Sequence, residues 1–228
     1  MVSYKNKRLK NMKYRCLVLD HDDTVVNSTA TIHYPAYVAY MEEYKKPGPL
    51  LTLEEYFSYN FDPGVIPMFR DICGLSEKEM EEEEAFWVDY VKDHIPSAYD
   101  GIKEILDSHK KDGGLICVIS HSFRHYILRD YKANGLPEPD MVFGWELEPD
   151  KRKPSPYAVH EIMKKYALKP EEILVVDDLK PGYDMARAAG VPFAAAGWAN
   201  NVAPIEQFMR KNCELYFKHV DELAAFLK

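Results

Sequence analysis

The chain has 228 residues, with 29 Lys and Arg against 37 Asp and Glu, a formal net charge of −8. That length suits one large domain, or a body with a modest insert. The charge argues against a nucleic-acid or anionic-membrane surface and suits a protein that handles small molecules. The four cysteines, Cys16, Cys73, Cys117 and Cys213, are far apart and form no Cys-x-x-Cys pair. This excludes an obvious zinc site and fits reduced thiols in a cytoplasmic protein.

Residues 1–12 read as a basic N-terminal extension. The opening "MVSYKNKRLKNMKYR" leads only into "CLVL", too short for a signal peptide or a membrane span. The apolar run "CLVLD" (16–20) is the first predicted strand, and it ends in three carboxylates, Asp20, Asp22 and Asp23. Acids so close together need a cation or a shared proton.

Residues 29–94 contain no convincing strand and are predicted to be an all-helical insert. "HYPAYVAYMEEY" places Tyr34, Tyr37, Val38, Met41 and Tyr44 at helical spacing, and "KKPGP" stops it. "TLEEYF" and "SEKEMEEEEAFWVDYVKDH" open with capping boxes, Thr52 with Glu55 and Ser76 with Glu79. The run Glu81 to Glu84 reads as a solvated helix face. Further strands, "LICVIS" (115–120), "MVF" (141–143), "ILVVDD" (173–178) and "PFAAAG" (192–197), alternate with amphipathic helices such as "GIKEILDSHKK" and "YAVHEIMKKYAL". The fold class is therefore α/β, a doubly wound parallel sheet. Residues 13–28 and 95–228 form its core, and 29–94 are inserted after the first strand.

In such a sheet the carboxyl ends of the strands form the ligand crevice. Asp20 and Asp22, Ser120, Lys153, and Asp177 with Asp178 all fall there or in an adjoining loop. Asp20, Asp22, Asp177 and Asp178 can share a hard cation, for which Mg²⁺ is the natural choice. Asp20 can attack phosphorus, and Asp22, two positions on, points to the same side and can move the proton. Ser120 and Lys153 then supply a donor and a positive charge to the phosphoryl oxygens.

These stations resemble the haloacid dehalogenase superfamily, in its phosphatase and phosphomutase branch with a helical cap. Asp20, Asp22 and Thr24 match the first motif, Ser120 in "VISHS" the second, and Lys153 in "KPSP" the third. "VVDDLKPGYDMARAAG" matches the fourth, with Asp177 and Asp178 as its acids and Gly182 as its glycine. The spacing is similar to that of phosphoglycolate phosphatases and β-phosphoglucomutases. The resemblance implies a Rossmann-like core under a mobile lid, Mg²⁺ dependence and an aspartyl-phosphate intermediate on a small phosphorylated substrate. His21 stands where the family is usually apolar, and alternation points it away from Asp20. Asp23 stands where glycine is common, and His121 where asparagine is frequent.

Thr24, His121 and Arg70 are candidate substrate contacts, Arg70 being the only arginine of the insert and a candidate for an anionic tail. A phosphomutase would use the same residues. Hydrolysis is favoured because the insert shows no cluster of cations for a sugar bisphosphate. A non-catalytic phosphate-binding protein or a phospho-receiver-like module is the alternative of another class, but a receiver has no place for the insert and carries its acidic pair on the first strand.

Overall fold

The computed structural model describes residues 12–44 and 48–228. All of the predicted basic extension except Met12, and part of the predicted stop at "KKPGP", lie outside the described residues.

The apolar run Cys16–Leu19 is strand β1, buried at all four positions. A strand with no polar residue can sit only where both faces are covered. β1 accordingly lies between β2 (Leu115–Ile119) and β4 (Ile173–Asp177), parallel to both. With β3 (Met141–Phe143), β5 (Phe193–Ala196) and β6 (Leu215–Phe217) the six-stranded parallel sheet has the order β3-β2-β1-β4-β5-β6. The strand β6 is absent from the sequence reading. It is a three-residue edge strand with only Phe217 buried, too short to show a period.

Alternation along β1 sends Cys16 and Val18 into one apolar cluster and Leu17 and Leu19 into another, so the sheet has a core on each face. Six helices of about two to three turns complete these layers: α4 (Ile102–Lys111), α5 (Arg124–Ala133), α6 (Tyr157–Tyr166), α7 (Lys180–Ala189), α8 (Ala203–Asn212) and α9 (Val220–Phe226). The α/β doubly wound class expected from the sequence is the observed one. No helix among the described residues is long and apolar enough to cross a membrane.

Between β1 and α4 the described chain is helical. A π-helical turn at Thr29–His33 runs into α1 (Tyr34–Glu43), followed by α2 (Leu53–Phe61), a short helical segment over Val65–Ile72, and α3 (Glu77–Val91). Both predicted capping boxes start their helices, Thr52 with Glu55 and Ser76 with Glu79. Tyr37, Tyr40, Met41, Tyr56, Met68 and Phe69 give this region an apolar centre of its own. Helix α2 also turns Phe57 and Phe61 into one of the sheet's clusters, with Phe61 edge-on to Phe208 at 5.2 Å between ring centroids. The chain leaves and re-enters the sheet side by side, Asn27 N–H donating to Ser97 O at 2.9 Å.

Candidate active site

In the strand order observed, the chain changes direction of winding between β1 and β4, and it is there that open α/β sheets bind ligands. Asp20 follows β1, Asp177 ends β4 and Asp178 follows it. All three are buried, and one carboxylate oxygen from each lies within 4.8 Å of the others. Lys153, itself buried, reaches in from the loop before α6 and donates to Asp20 Oδ1 at 2.7 Å and to Asp177 Oδ2 at 2.8 Å. Burial disfavours a charge on Lys153, but Asp177 and Asp20 more than offset this and raise its pKa.

One ammonium does not balance three acids. Burial pushes Asp20 up to about 7, with Asp177 and Asp22 adding to the shift and Lys153 opposing it. Burial and the charges of Asp23, Asp177 and Asp20 raise Asp178 well above the usual carboxylate range. The cluster thus lacks positive charge, and its all-oxygen donor set fits a hard divalent cation. Space here is tight: a Cβ on Gly182 would come within 2.1 Å of Asp177 Oδ2, so the residue packed against this carboxylate must be glycine.

The carboxylate of Asp22, expected among the metal ligands, lies apart from that cluster of three. This carboxylate is saturated by other donors: Ser28 Oγ at 2.8 Å and His33 Nε2 at 2.9 Å on one oxygen, Ser122 Oγ at 2.6 Å and Ser120 Oγ at 3.3 Å on the other. Burial alone would raise Asp22, but His33 and Ser122 hold it well below the ordinary carboxylate value. The indole N–H of Trp87 donates to His33 Nδ1 at 3.0 Å. An indole can only donate, so Nδ1 accepts and Nε2 carries the proton that bonds Asp22. Burial opposes a charge on His33 while Asp22 favours one and raises its pKa. Charging the ring nevertheless requires Trp87 to leave Nδ1.

The turn after β1 explains its other acid. Asp23 adopts a left-handed φ of 58°, the conformation that favours glycine, and its Oδ1 accepts from Ser28 N at 3.3 Å and Thr29 N at 3.1 Å at the start of the π-helical turn. His21 points away from Asp20, as alternation requires. It is buried with Nε2 3.1 Å from Asp130 Oδ2 and its ring stacked on Tyr131.

Above these groups lies a cavity of about 750 Å³, lined by the strand ends on one side and by α2 and α3 on the other. Asp20, Asp22, Ser120, His121, Lys153 and Asp178 line it. Burial and the charge of Lys153 push His121 down to about 3, so its ring is neutral.

Two proposed substrate contacts fall elsewhere. Thr24 is buried, is not part of the cavity lining, and donates to Asp178 Oδ1 at 3.3 Å. Arg70 is exposed outside the cavity and spent on its neighbour, with Nε and Nη2 each 2.7 Å from the Asp71 carboxylate. The glutamate run is also more than a solvated face. Glu81, Glu83 and Glu84 line the cavity, and Glu83 is partly buried.

His33, Trp87 and Ser122 were not among the sequence candidates. Ser122 lies inside the quoted "VISHS", two residues from Ser120 on an extended path, and that spacing could have found it. His33 and Trp87 meet across 54 positions from separate helical segments, and no local pattern announces the pair.

Residues 17–196 match the family model of haloacid dehalogenase-like hydrolases. The chain is 23% identical over 198 residues, 82% of its length and 85% of the relative's, to a phosphoglycolate phosphatase of Thiobacillus denitrificans. Among solved structures it is similar to a predicted phosphoglycolate phosphatase from Haemophilus somnus, with a TM-score of 0.79 at 18% identity, covering 96% of this chain and 100% of that one. It is also similar to CbbY of Rhodobacter sphaeroides in complex with xylulose 1,5-bisphosphate, with a TM-score of 0.68 at 15% identity over 94% and 99% of the two chains.

Proposed function

Because the chain belongs to the haloacid dehalogenase-like hydrolase family, we propose that it is a Mg²⁺-dependent phosphatase that cleaves a small phosphomonoester through an aspartyl phosphate on Asp20. The observation that carries this reading is the meeting of Asp20, Lys153, Asp177 and Asp178 at the floor of the cavity, with Asp22 two residues from the nucleophile. Residues 29–94 act as its cap and 13–28 with 95–228 as its catalytic core.

Asp20, Asp177 and Asp178 would hold the cation, which when bound neutralises charge on the phosphoryl oxygens. Asp20 attacks phosphorus, forming an O–P bond as the ester P–O bond breaks. Asp22, protonated as the phosphate's negative charge enters beside it, gives that proton to the departing alkoxide and is left as the carboxylate, which His33 Nε2–H holds at 2.9 Å. Asp22 then takes a proton from water, whose oxygen attacks phosphorus and breaks the Asp20–phosphorus bond, releasing phosphate. Ser120 and Lys153 hold the transferring group, and Thr24 holds Asp178.

Hydrolysis is favoured over phosphoryl return to a bisphosphate by the far side of the cavity. A second phosphoryl group there would face the glutamates of α3. The test is release of phosphate from p-nitrophenyl phosphate with Mg²⁺ and with chelator. Turnover that needs the metal supports the reading, and full activity in chelator removes the metal from it. Acid-quenched Asp22→Asn protein is expected to carry a phosphoryl group on the peptide 16–28. A phosphoryl group on a histidine instead would overturn Asp20 as nucleophile.

A further inference from the structure

We infer that the substrate carries a positive charge at the end away from its phosphate, and that the cavity accepts phosphomonoesters of amino or quaternary-ammonium alcohols. This rests on the phosphatase reading above and adds the substrate class.

The phosphate end of the cavity is fixed by Asp20 and Lys153, so the opposite wall meets the rest of the substrate. That wall is the face of α3 bearing Glu77, Met80, Glu81, Glu83, Glu84 and Trp87, with the rings of Tyr56 and Phe69 beside it. Every positive or potentially positive lining group is already engaged. Lys153 is bonded to Asp20 and Asp177. Arg152 stacks over Trp145 at 3.8 Å, donates to Leu147 O at 2.7 Å, and feels the charges of Glu84 and Glu146. His33 is bonded to Asp22 at 2.9 Å and to Trp87 at 3.0 Å, and burial leaves His121 neutral. Arg70, the one arginine of the insert, is outside the cavity.

The second observation is Glu83. Among the described residues it has no hydrogen-bond or ion-pair partner, although it is partly buried in the cavity wall and its neighbour Glu84 accepts from Trp145 Nε1 at 3.0 Å. Burial and the charge of Glu84 push Glu83 up to about 8, with His33 opposing. A carboxyl set into a substrate cavity without an ion-pair partner among the described residues is completed by a ligand that brings a positive charge. The aromatic faces alongside attract the same kind of group, since a cation over Trp, Tyr or Phe is drawn to the ring's negative face. An anionic tail would face the glutamates of α3, and among the described residues the one cavity-lining cation without an ion pair, Arg152, lies stacked on Trp145. A volume of about 750 Å³ also leaves room for a tail beyond the phosphate.

The experiment compares kcat/KM, in Mg²⁺, for phosphoethanolamine and phosphocholine against n-propyl phosphate, their neutral counterpart, and phosphoglycolate, an anionic one. p-Nitrophenyl phosphate serves as the reference. An ester that turns over too slowly is ranked by its Ki against the aryl substrate. The cationic esters should exceed n-propyl phosphate by about tenfold or more, and phosphoglycolate should fall below it. In Glu83→Gln the ratio of cationic to neutral ester should shrink to about twofold or less. Hydrolysis of the aryl ester with no cationic preference overturns the substrate class while leaving the phosphatase reading intact. A preference that survives Glu83→Gln in full overturns its assignment to this wall. No hydrolysis of the aryl ester removes both readings.

Discussion

The two sides of the cavity are both acidic, and they treat their acids in opposite ways. At the strand ends each carboxylate has a named partner: Lys153 for Asp20 and Asp177, Thr24 for Asp178, and three serines, Ser28, Ser120 and Ser122, with His33 for Asp22. On α3 the partly buried Glu83 has none among the described residues. Acids held by several donors are fixed in place before substrate arrives, which is what a reacting centre needs. An acid left without a partner keeps its affinity for whatever enters.

The sharpest way to break this comparison is at the fixed side. Asp20→Asn removes the attacking oxygen while keeping the shape of the side chain, so turnover should fall below detection and no phosphoenzyme should form. Near-native secondary structure by circular dichroism would assign the loss to chemistry. Measurable turnover would move the nucleophile elsewhere. Asp22→Asn is expected to cost roughly 10² to 10⁴ in kcat, the worth of a general acid-base group, and less on an aryl ester whose leaving group needs little protonation. An equal loss on both esters would make Asp22 a structural acid.

The strand ends were legible in the sequence because the parallel sheet converts local signals into positions. "CLVLD" and "ILVVDD" each announce a buried strand with acids at its end, and the winding of the sheet brings those ends together. The direction of each side chain was less legible. Asp22 shares a strand-end motif with Asp20, yet the turn after β1 aims it at Ser122 and His33 instead of the acid cluster. Thr24 and Arg70 lie off the cavity lining for the same reason, since type and motif position do not say where a side chain on a turn or a short helical segment points. The helical wall was least legible. Its helices were readable from capping boxes, but which face of α3 meets the cavity depends on packing between segments distant in sequence.

The charge deficit at the strand ends gives a prediction of intermediate size. Unfolded aspartates titrate near 3.9, whereas burial, opposed by Lys153 and aided by Asp177 and Asp22, pushes Asp20 up to about 7. Between those values the folded chain binds more protons than the unfolded one, so metal-free stability should fall as pH rises from about 4 to about 7. Bound Mg²⁺ offsets the repulsion, and its stabilisation should therefore be larger at about pH 7.5 than at about pH 5. Differential scanning calorimetry should show a rise in Tm of a few degrees at the higher pH and a smaller one at the lower. A rise independent of pH would place the cation away from these acids.

A smaller effect is expected where the two sides touch, at Trp87 and His33. Trp87→Phe keeps an aromatic ring but removes the donor to His33 Nδ1. The freed nitrogen can then take a proton, and His33 and Asp22 become an ion pair that withholds Asp22 as a base. With the His33 pKa already raised by Asp22, kcat should fall by about tenfold at low pH and recover as pH rises and the ring loses its proton. A loss of the same size at every pH would mean that Trp87 acts by packing alone.

The smallest effect is expected within the helical region itself, where Arg70 and Glu83 make opposite cases. Glu83 is partly buried, lines the cavity and lacks a partner among the described residues. Arg70 is exposed, outside the cavity, and bound through two nitrogens to Asp71 next to it in sequence. An exposed pair between adjacent residues is screened by water and restrains little of the fold. Arg70→Ala should accordingly leave kcat and KM within about twofold and Tm within about 2 °C. The same indifference should hold for anionic and cationic esters alike, because the guanidinium faces solvent and not substrate. A rise in KM confined to an anionic ester such as phosphoglycolate would show that Arg70 swings into the cavity when substrate binds, and would count against a cationic tail at that wall.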